Sequence, residues 1–561
     1  MKRNIKYSKN FYWAVIFIVT LVFSSCTQEL DLAPRTSLSE VSFWNTPNDF
    51  KLATNRYYNT LLPQHGSGGE DNNSDITYGN GQNDVSAGNL LTSANDGNWD
   101  NSYQELRQIN TMLQKATEYS GDHTEIAVSV AEGKFFRAYT YYNLVTRFGD
   151  VPYFDKPLKG EKDENLFTPR TSRETVINNI ITDLDEAVKD LPLQSELEGT
   201  DVGRITKGAA WALKARVTLF EATWSKYHET ESNVNDLLNQ SITAAQAVIE
   251  SGEYELFTYA PAPEDSYLNS YLITGNDSKE QILARRYFPD VRTHTLGNWV
   301  CCNGTNDYTK KLVDMYTATD GLPISISPLF KGYGTILSEY ENRDLRMTNT
   351  IAIPGGFHIS RENREGLDAV YPSLTTDEET GYKSRKLVAI DEDGISNRAW
   401  EFKHVIKYSE VLLILAEALY ERDGAISDTD LNATVNLLRA RGGVAALTNE
   451  LVTTNDLNML EQLRNERTIE LASDGYRLLD LRRWGTAEIE LNKDIKGVNI
   501  GNGSWDVEYP GVSTMFPTDV NGFRIVEDAA TRQFGEKNYL FPIPTQQIQL
   551  SNGTLEQNPG W

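Results

Sequence analysis

Cysteine is scarce in this chain, with three among 561 residues. Two of the three, Cys301 and Cys302, are adjacent. Neighbouring Cα atoms lie about 3.8 Å apart across a trans peptide, which is closer than ordinary disulfides allow. A bridge between these two residues would be strained, and a pair of free or buried thiols is the alternative. Disulfides are therefore not expected to hold this fold together.

The sequence also lacks the short motifs that identify common enzyme classes. Its six histidines form no HExxH pattern and no pair at metal-ligand spacing, and there is neither a G-x-S-x-G elbow nor a Walker loop. The 79 Asp and Glu residues are so numerous that chance pairs cannot identify a glycosidase-type acid and base. Acidic loops such as residues 391–394 lack EF-hand spacing. We therefore predict no catalytic residue, no cofactor and no dedicated metal site.

Positive charge is in the minority, with 53 Lys and Arg residues against 79 Asp and Glu residues, for a formal net charge of −26. Because phosphates would repel such a chain, this charge argues against nucleic-acid binding. It argues equally against electrostatic adhesion to anionic lipid. The composition is 39% hydrophobic and 10% aromatic, which is ample for a large folded core.

An apolar run, Trp13–Phe23, lies near the N-terminus. Four basic residues precede it, and Ser24, Ser25 and Cys26 follow it. The run is too short to span a bilayer as a mature helix and is typical of a cleaved export signal, here residues 1–25. A cysteine at the cleavage point indicates a bacterial lipoprotein with Cys26 as its acylated first residue. Ordinary secretion with cleavage near Ser25 is the alternative.

Helical periodicity dominates the rest of the chain. Ala131, Phe135, Ala138, Tyr142 and Val145 step by four, three, four and three residues, which places them on one face of a helix. Comparable apolar stripes predict further helices near residues 171–188, 208–219, 233–251, 408–419 and 457–472. These helices pair across short breaks, as helical-hairpin repeats do.

Long polar segments separate the helices, and the alternating run at residues 386–390 suits a small strand. We predict a mainly α-helical protein with a flexible tether over residues 26–45 and a single body over residues 46–561. That body divides into an N-terminal helical part, residues 46–260, and a C-terminal part, residues 261–561.

The segment Glu466–Gly485 is unusually rich in opposite charges. Glu466 and Glu470 lie one turn apart on a predicted helix, and Gly475 is a natural stop for that helix. The arginines of the segment, which can bind carboxylates through two hydrogen bonds, are Arg467, Arg477, Arg482 and Arg483. An anion site is one interpretation. We favour the other, a polar network that holds helix ends together.

This segment resembles the C-terminal signature of the SusD/RagB-type outer-membrane lipoproteins of Bacteroidetes. Further stretches resemble the same family in the expected order: Lys134–Pro152, Thr206–Val217, Tyr408–Ala418 and Phe541–Trp561. The resemblance implies a mainly α, SusD-like fold in which degenerate tetratricopeptide-type helix pairs form a scaffold. Long loops and a few short β-strands would pack against that scaffold.

The resemblance also implies a function. A protein of this kind would be lipid-anchored through Cys26 at the cell outer membrane and would face the exterior. It would capture oligosaccharides or polysaccharides and deliver them to a SusC-like TonB-dependent transporter. The alternatives are a peptide-binding lid of a RagAB-type importer, a surface glycoside hydrolase and a purely structural surface protein. Because no catalytic motif is present, we expect a protein that is not an enzyme.

Sites for neutral glycans combine aromatic faces with planar polar side chains on ordered loops. Two loops have this composition, residues 71–98 and residues 285–308, and the family places ligand contacts in these regions. The candidate ligand contacts are Asp75, Tyr78, Asn83, Arg286, Tyr287, Asn298, Trp299 and Tyr308. Trp99 and Trp484 are instead expected to pack inside the protein.

Overall fold

The computed structural model describes residues 43–66, 70–79, 81–160, 162–230, 233–303, 306–358, 368–369, 371–372, 374, 379–388 and 398–561. The predicted signal, Cys26, most of the tether and the acidic loop at residues 391–394 lie outside the described residues. Within those ranges, none of the helices combines the length and the apolar character needed to cross a membrane. The same ranges contain no group of three His, Cys, Asp or Glu side chains that could hold a metal ion.

Helices form most of the regular structure. They are α1 (Pro47–Thr60), α2 (Gly97–Glu118), α3 (Ala127–Phe148), α4 (Arg173–Asp190), α5 (Lys207–Tyr227), α6 (Val234–Glu250), α7 (Ser266–Asn269), α8 (Leu296–Asn303), α9 (Lys310–Met315), α10 (Leu345–Thr350), α11 (Tyr408–Asp423), α12 (Asp428–Ala433), α13 (Val435–Arg441), α14 (Asn449–Thr454), α15 (Met459–Glu470), α16 (Arg477–Arg483), α17 (Ala487–Leu491) and α18 (Thr545–Leu550).

The strands are short. They are β1 (Thr77–Tyr78), β2 (Gln281–Arg285), β3 (Asp307–Tyr308), β4 (Phe357–His358), β5 (Asp368–Ala369), β6 (Lys403–Lys407), β7 (Ile495–Asn499) and β8 (Phe523–Glu527). Each pairs antiparallel with one other: β1 with β3, β2 with β6, β4 with β5, and β7 with β8. The prediction of a mainly helical fold with a few small strands is confirmed.

The long helices pack in pairs, as the sequence periodicity predicts. Helix α3 packs against α4, α5 packs against α6, and α11 packs against both α6 and α15. The predicted stripe of α3 is buried, with Ala131, Phe135 and Val145 each at most 1% exposed. Phe136 and Tyr141, outside that stripe, are buried as well, because α1, α2 and α4 all contact this helix.

Helix ends follow local chemistry. Ser172 caps α4, since its hydroxyl oxygen accepts the backbone N–H of Thr175 at 3.4 Å. Asn233 caps α6 in the same way, and Gly252 follows that helix with a φ of +68°, the left-handed conformation that glycine adopts readily. The helices predicted near residues 171–188 and 233–251 are confirmed.

The predicted strand at residues 386–390 is wrong for its first three residues, which form a turn, and the last two lie outside the described residues. The ammonium group of Lys386 is fully buried and donates to the hydroxyl of Tyr267 at 3.1 Å. Leu387 has a φ of +69°, which no regular strand contains. The alternation of residue types at this position therefore accompanies a turn with a buried lysine and not a strand.

The largest hydrophobic cluster extends from Phe50 in α1 to Ile543 near the C-terminus. Helices from both predicted parts of the body therefore contribute to one core. Trp99 and Trp484 are buried, at 4% and 3% exposed, as expected. A second cluster includes Tyr308 of β3 and lies where the two polar loops meet.

Candidate functional site

The two predicted ligand loops are joined by backbone pairing. Strand β1 belongs to the first loop and β3 to the second, and they pair with Thr77 opposite Tyr308 and Tyr78 opposite Asp307. Because a two-stranded ribbon is marginally stable alone, its position must be held by contacts with the rest of the protein.

Those contacts come from the turn between α15 and α16. The carboxylate of Asp75, two residues before β1, accepts two hydrogen bonds from the guanidinium of Arg477, each 2.8 Å long. The backbone N–H of Arg477 donates to Asp71 at 3.1 Å. From the other loop, the hydroxyl of Tyr308 lies 2.9 Å from that of Ser473. One turn of the signature segment therefore fixes the bases of both loops.

Burial and charge give the two aspartates of the first loop different acidities. Burial is the largest single influence and would raise the pKa of Asp75, but the charge and hydrogen bonds of Arg477, together with the charge of Lys311, hold that pKa below its usual range. Burial raises the pKa of Asp71 to about 7, although backbone N–H groups oppose the shift. Asp75 is therefore ionised at neutral pH, as its pairing with Arg477 requires.

The rest of the signature segment forms the predicted polar network. Glu466 binds Arg346 at 2.9 Å and Arg439 at 2.6 Å. Glu470 binds Arg346 at 3.2 Å and also contacts Arg441. These carboxylates are already paired with buried arginines, which favours the network over an anion site. The partner arginines come from α10 and α13, outside the segment, and no local sequence signal identifies them.

A second part of the network surrounds Glu417 of α11. Its carboxylate accepts hydrogen bonds from the guanidinium of Arg483, at 2.6 and 2.7 Å, and from the indole N–H of Trp484, at 2.7 Å. Burial is the largest single influence and would raise the pKa of Glu417, but the charge and hydrogen bonds of Arg483, with the charges of Arg467 and Arg464, together lower it to about 2. The signature tryptophan is therefore a structural residue that ties α16 to α11.

Several candidate ligand contacts are used inside the protein. Asp75 and Tyr308 are 3% and 0% exposed and make the contacts described above. Tyr287 is 3% exposed, and its hydroxyl accepts the backbone N–H of His65 at 3.1 Å. These three side chains present almost no surface to a ligand, and their positions explain how the loops are held.

Arg286 and Asn83 also bind within the protein. The guanidinium of Arg286 donates to the carbonyl of Val202 at 2.6 Å and to Asp277 at 2.9 Å. The side-chain oxygen of Asn83 accepts the N–H of Val85 at 3.0 Å, which shapes the first loop. The side chain of Arg286 is partly exposed, and its partner Asp277 lies at the surface.

The remaining candidates are Tyr78, Asn298 and Trp299. Trp299 lies on α8, which leads toward β3, and is 39% exposed. Tyr78 is half-buried, and burial followed by the charge of Glu379 raises its pKa to about 12. The side chain of Asn298 lies outside the described residues. Trp299 and Tyr78 are therefore the two predicted aromatic residues that retain accessible surface.

Comparison with known families decides what this architecture is. Residues 274–561, more than half of the chain, match the model described as the SusD family. The chain belongs to the SusD family. Residues 38–219 also match a SusD-like model described as starch-binding and associating with the outer membrane. The expected SusD-like fold is thus confirmed.

Similar proteins share this SusD-family architecture over most of their length. SusD-like protein P38 of Formosa agariphila is 24% identical over 87% of this chain and 94% of its own. The crystal structure of a SusD-like carbohydrate-binding protein from Bacteroides fragilis has a TM-score of 0.73 at 24% identity, covering 92% of this chain and 99% of its own. Surface glycan-binding protein A from Bacteroides thetaiotaomicron, in complex with laminarihexaose, has a TM-score of 0.61 at 18% identity and covers 91% and 99%. At these identities the structures show a shared fold.

Proposed function

We propose that this SusD-family protein captures oligosaccharides at the cell surface and delivers them to a SusC-like TonB-dependent transporter. Family membership supports a binding role, and the description of the N-terminal family model names both starch and the outer membrane. The complex of a structural relative with laminarihexaose supports a glycan as the class of ligand.

The observation that carries this proposal is the exposed indole of Trp299, on the helix that precedes the sheet joining the two loops. An aromatic face can pack against the C–H groups of a sugar ring, while neighbouring polar groups bind its hydroxyls. The loop bases are fixed by the buried pair of Asp75 with Arg477 and by the hydrogen bond between Tyr308 and Ser473, so the loop that carries Trp299 is held in place before the ligand arrives. Such preorganisation reduces the entropy lost on binding.

The proposal includes a lipid at Cys26 and a tether over residues 26–45. The formal net charge of −26 disfavours adhesion to an anionic surface, so attachment would depend on the acyl chains. A tether of this kind would let the body remain on its transporter while it opens and closes. Hydrolysis would be left to other proteins, and we propose no catalytic role.

The test is the affinity of the protein lacking residues 1–25 for a panel of soluble glycans, including starch and laminarin fragments, with peptides measured beside them. We expect glycan binding in isothermal titration calorimetry without new products in chromatography. Trp299→Ala should weaken binding by about 1–3 kcal/mol, the range known for base stacking on aromatic residues, which corresponds to roughly 5- to 150-fold.

Phe167→Ala is the matched control, because Phe167 is 38% exposed and lies on a different segment, after α3. That variant should bind as the unaltered protein does. Unchanged affinity of a folded Trp299→Ala variant would remove Trp299 from the site. Binding of peptides but no glycan would support the importer alternative, and new sugar products would indicate a hydrolase.

A further inference from the structure

A cleft of about 370 Å³ lies on the helical part of the body, between α1, α2, α3 and α16. Its volume is within the range of small-molecule sites, roughly 300–1,000 Å³. Its lining includes the apolar side chains of Phe541 and Leu144 and the polar side chains of Asn101 and Ser102 of α2. None of the predicted ligand contacts lines this cleft.

Two of the residues that line this cleft, Glu105 and Arg147, each have a buried side-chain atom with no hydrogen-bond partner among the described residues. Glu105 is 6% exposed, and its Oε1 accepts a hydrogen bond from Arg56 at 2.6 Å. Its Oε2 has no hydrogen-bond partner in the part of the chain that the structure describes. Arg147 donates from Nη2 to Asp96 at 2.8 Å, but its Nε–H is likewise unpaired among the described residues.

Unpaired buried polar atoms are uncommon, since each costs about 1–3 kcal/mol. Here an acceptor and a donor are left unpaired on residues that line the same cleft. Asn73, Asn101 and Ser102, which also line it, have side chains that make no hydrogen bond within the described ranges. The cleft therefore offers uncommitted donors and acceptors beside apolar side chains.

We propose that this cleft is a second ligand site, for a neutral polyhydroxylated molecule of one or two sugar units. A hydroxyl group can donate to Glu105 and accept from Arg147, so one kind of group satisfies both unpaired atoms. An anion would meet the charge of Glu105, and a cation would meet the charges of Arg147 and Arg482, which all line the cleft. The choice of sugars as the ligand class rests on the proposed function.

The position of Asn73 connects this cleft to the loop surface that carries Tyr78. Asn73 is in the loop that continues through Asp75 to Tyr78, and both the cleft and the fixed base of that loop involve Gly475. A sugar bound in the cleft would contact one end of the loop whose other end carries Tyr78. The two sites are therefore separate, with one loop running between them.

The experiment measures saturation-transfer difference NMR of glucose, galactose, mannose, N-acetylglucosamine and maltose with the protein lacking residues 1–25. We expect at least one of these sugars to bind. The double variant Asn101→Ala, Ser102→Ala should lose that signal. Both positions are on an exposed part of α2, and alanine favours the helix, so the variant should fold.

In a second variant, Glu105→Gln, the side chain keeps its shape but loses its charge. This variant should weaken binding of that sugar at least tenfold. All of these variants are compared in the Trp299→Ala background, so that a sugar bound at the loop surface contributes nothing to the signal. The proposal is overturned if none of the sugars binds, or if the signal persists in the folded double variant and in Glu105→Gln. Loss of oligosaccharide binding in Trp299→Ala tests the proposed function independently of these results.

Discussion

The buried pair between Asp75 and Arg477 should control the stability of the ligand loops. The two residues are 3% and 6% exposed and share two hydrogen bonds of 2.8 Å. Removing one partner of a buried ion pair leaves an uncompensated charge and costs about 3–5 kcal/mol. We therefore expect Asp75→Asn and Arg477→Met each to lower the free energy of opening the first loop by about that amount.

The double variant removes both charges together. Its effect should be smaller than the sum of the two single effects by about 2–3 kcal/mol, as is found for directly interacting residues. A loss of about 3 kcal/mol corresponds to roughly 100-fold in an equilibrium constant. Hydrogen exchange of individual amides measures such local opening.

The backbone amides of Thr309 and Tyr308, at the end of the second loop, report the opening of the first loop and provide its control. The N–H of Thr309 donates to the carbonyl of Ile76 in the first loop at 3.0 Å, whereas the N–H of Tyr308 donates to Tyr382 at 2.9 Å. The variants should accelerate exchange at Thr309 far more than at Tyr308. Additive single effects, or unchanged protection at Thr309 in folded variants, would refute the role assigned to this pair.

Two further predictions concern acid stability and attachment. Glu417 has a pKa lowered to about 2 in the folded protein, against an ordinary value of 4.5. Its contribution of about 3 kcal/mol is therefore present above the unfolded pKa and is lost as pH falls through the folded pKa. Glu417→Gln should be less stable than the unaltered protein near neutral pH and should lose less stability on acidification. Urea unfolding at a series of pH values measures both effects. Equal slopes of the unfolding free energy against pH in the two proteins would contradict this prediction. Cys26→Ser should move the exported protein from the membrane fraction to the soluble fraction and abolish labelling by radioactive palmitate, and retention in the membrane would exclude a lipid anchor at that residue.

The helical scaffold could be predicted from sequence because its signals are local. The stripe on α3 and the cap at Ser172 depend on residues within a few positions of one another, and both are found in the structure. The polar network could be predicted in kind but not in its partners. Glu466 binds Arg346 from 120 residues away, and nothing in either local sequence indicates that contact.

The candidate site shows the same division. Composition selected two loops that the structure joins through β1 and β3, but it could not distinguish side chains available to a ligand from those that hold the loop. Asp75 has the chemistry of a sugar ligand, yet its carboxylate is occupied by Arg477, 402 residues away. Tyr308 is fully buried for a similar reason, with its hydroxyl beside Ser473.

The turn that holds both loops also has a consequence for the order of folding. Asp75 is synthesised 402 residues before Arg477, and closing a chain segment of that length must precede their contact. The N-terminal helix pairs have local partners and can form early. The two predicted ligand loops, by contrast, can take their final geometry only after the turn between α15 and α16 has been synthesised. We therefore expect the surface formed by these loops to be among the last features of this protein to fold.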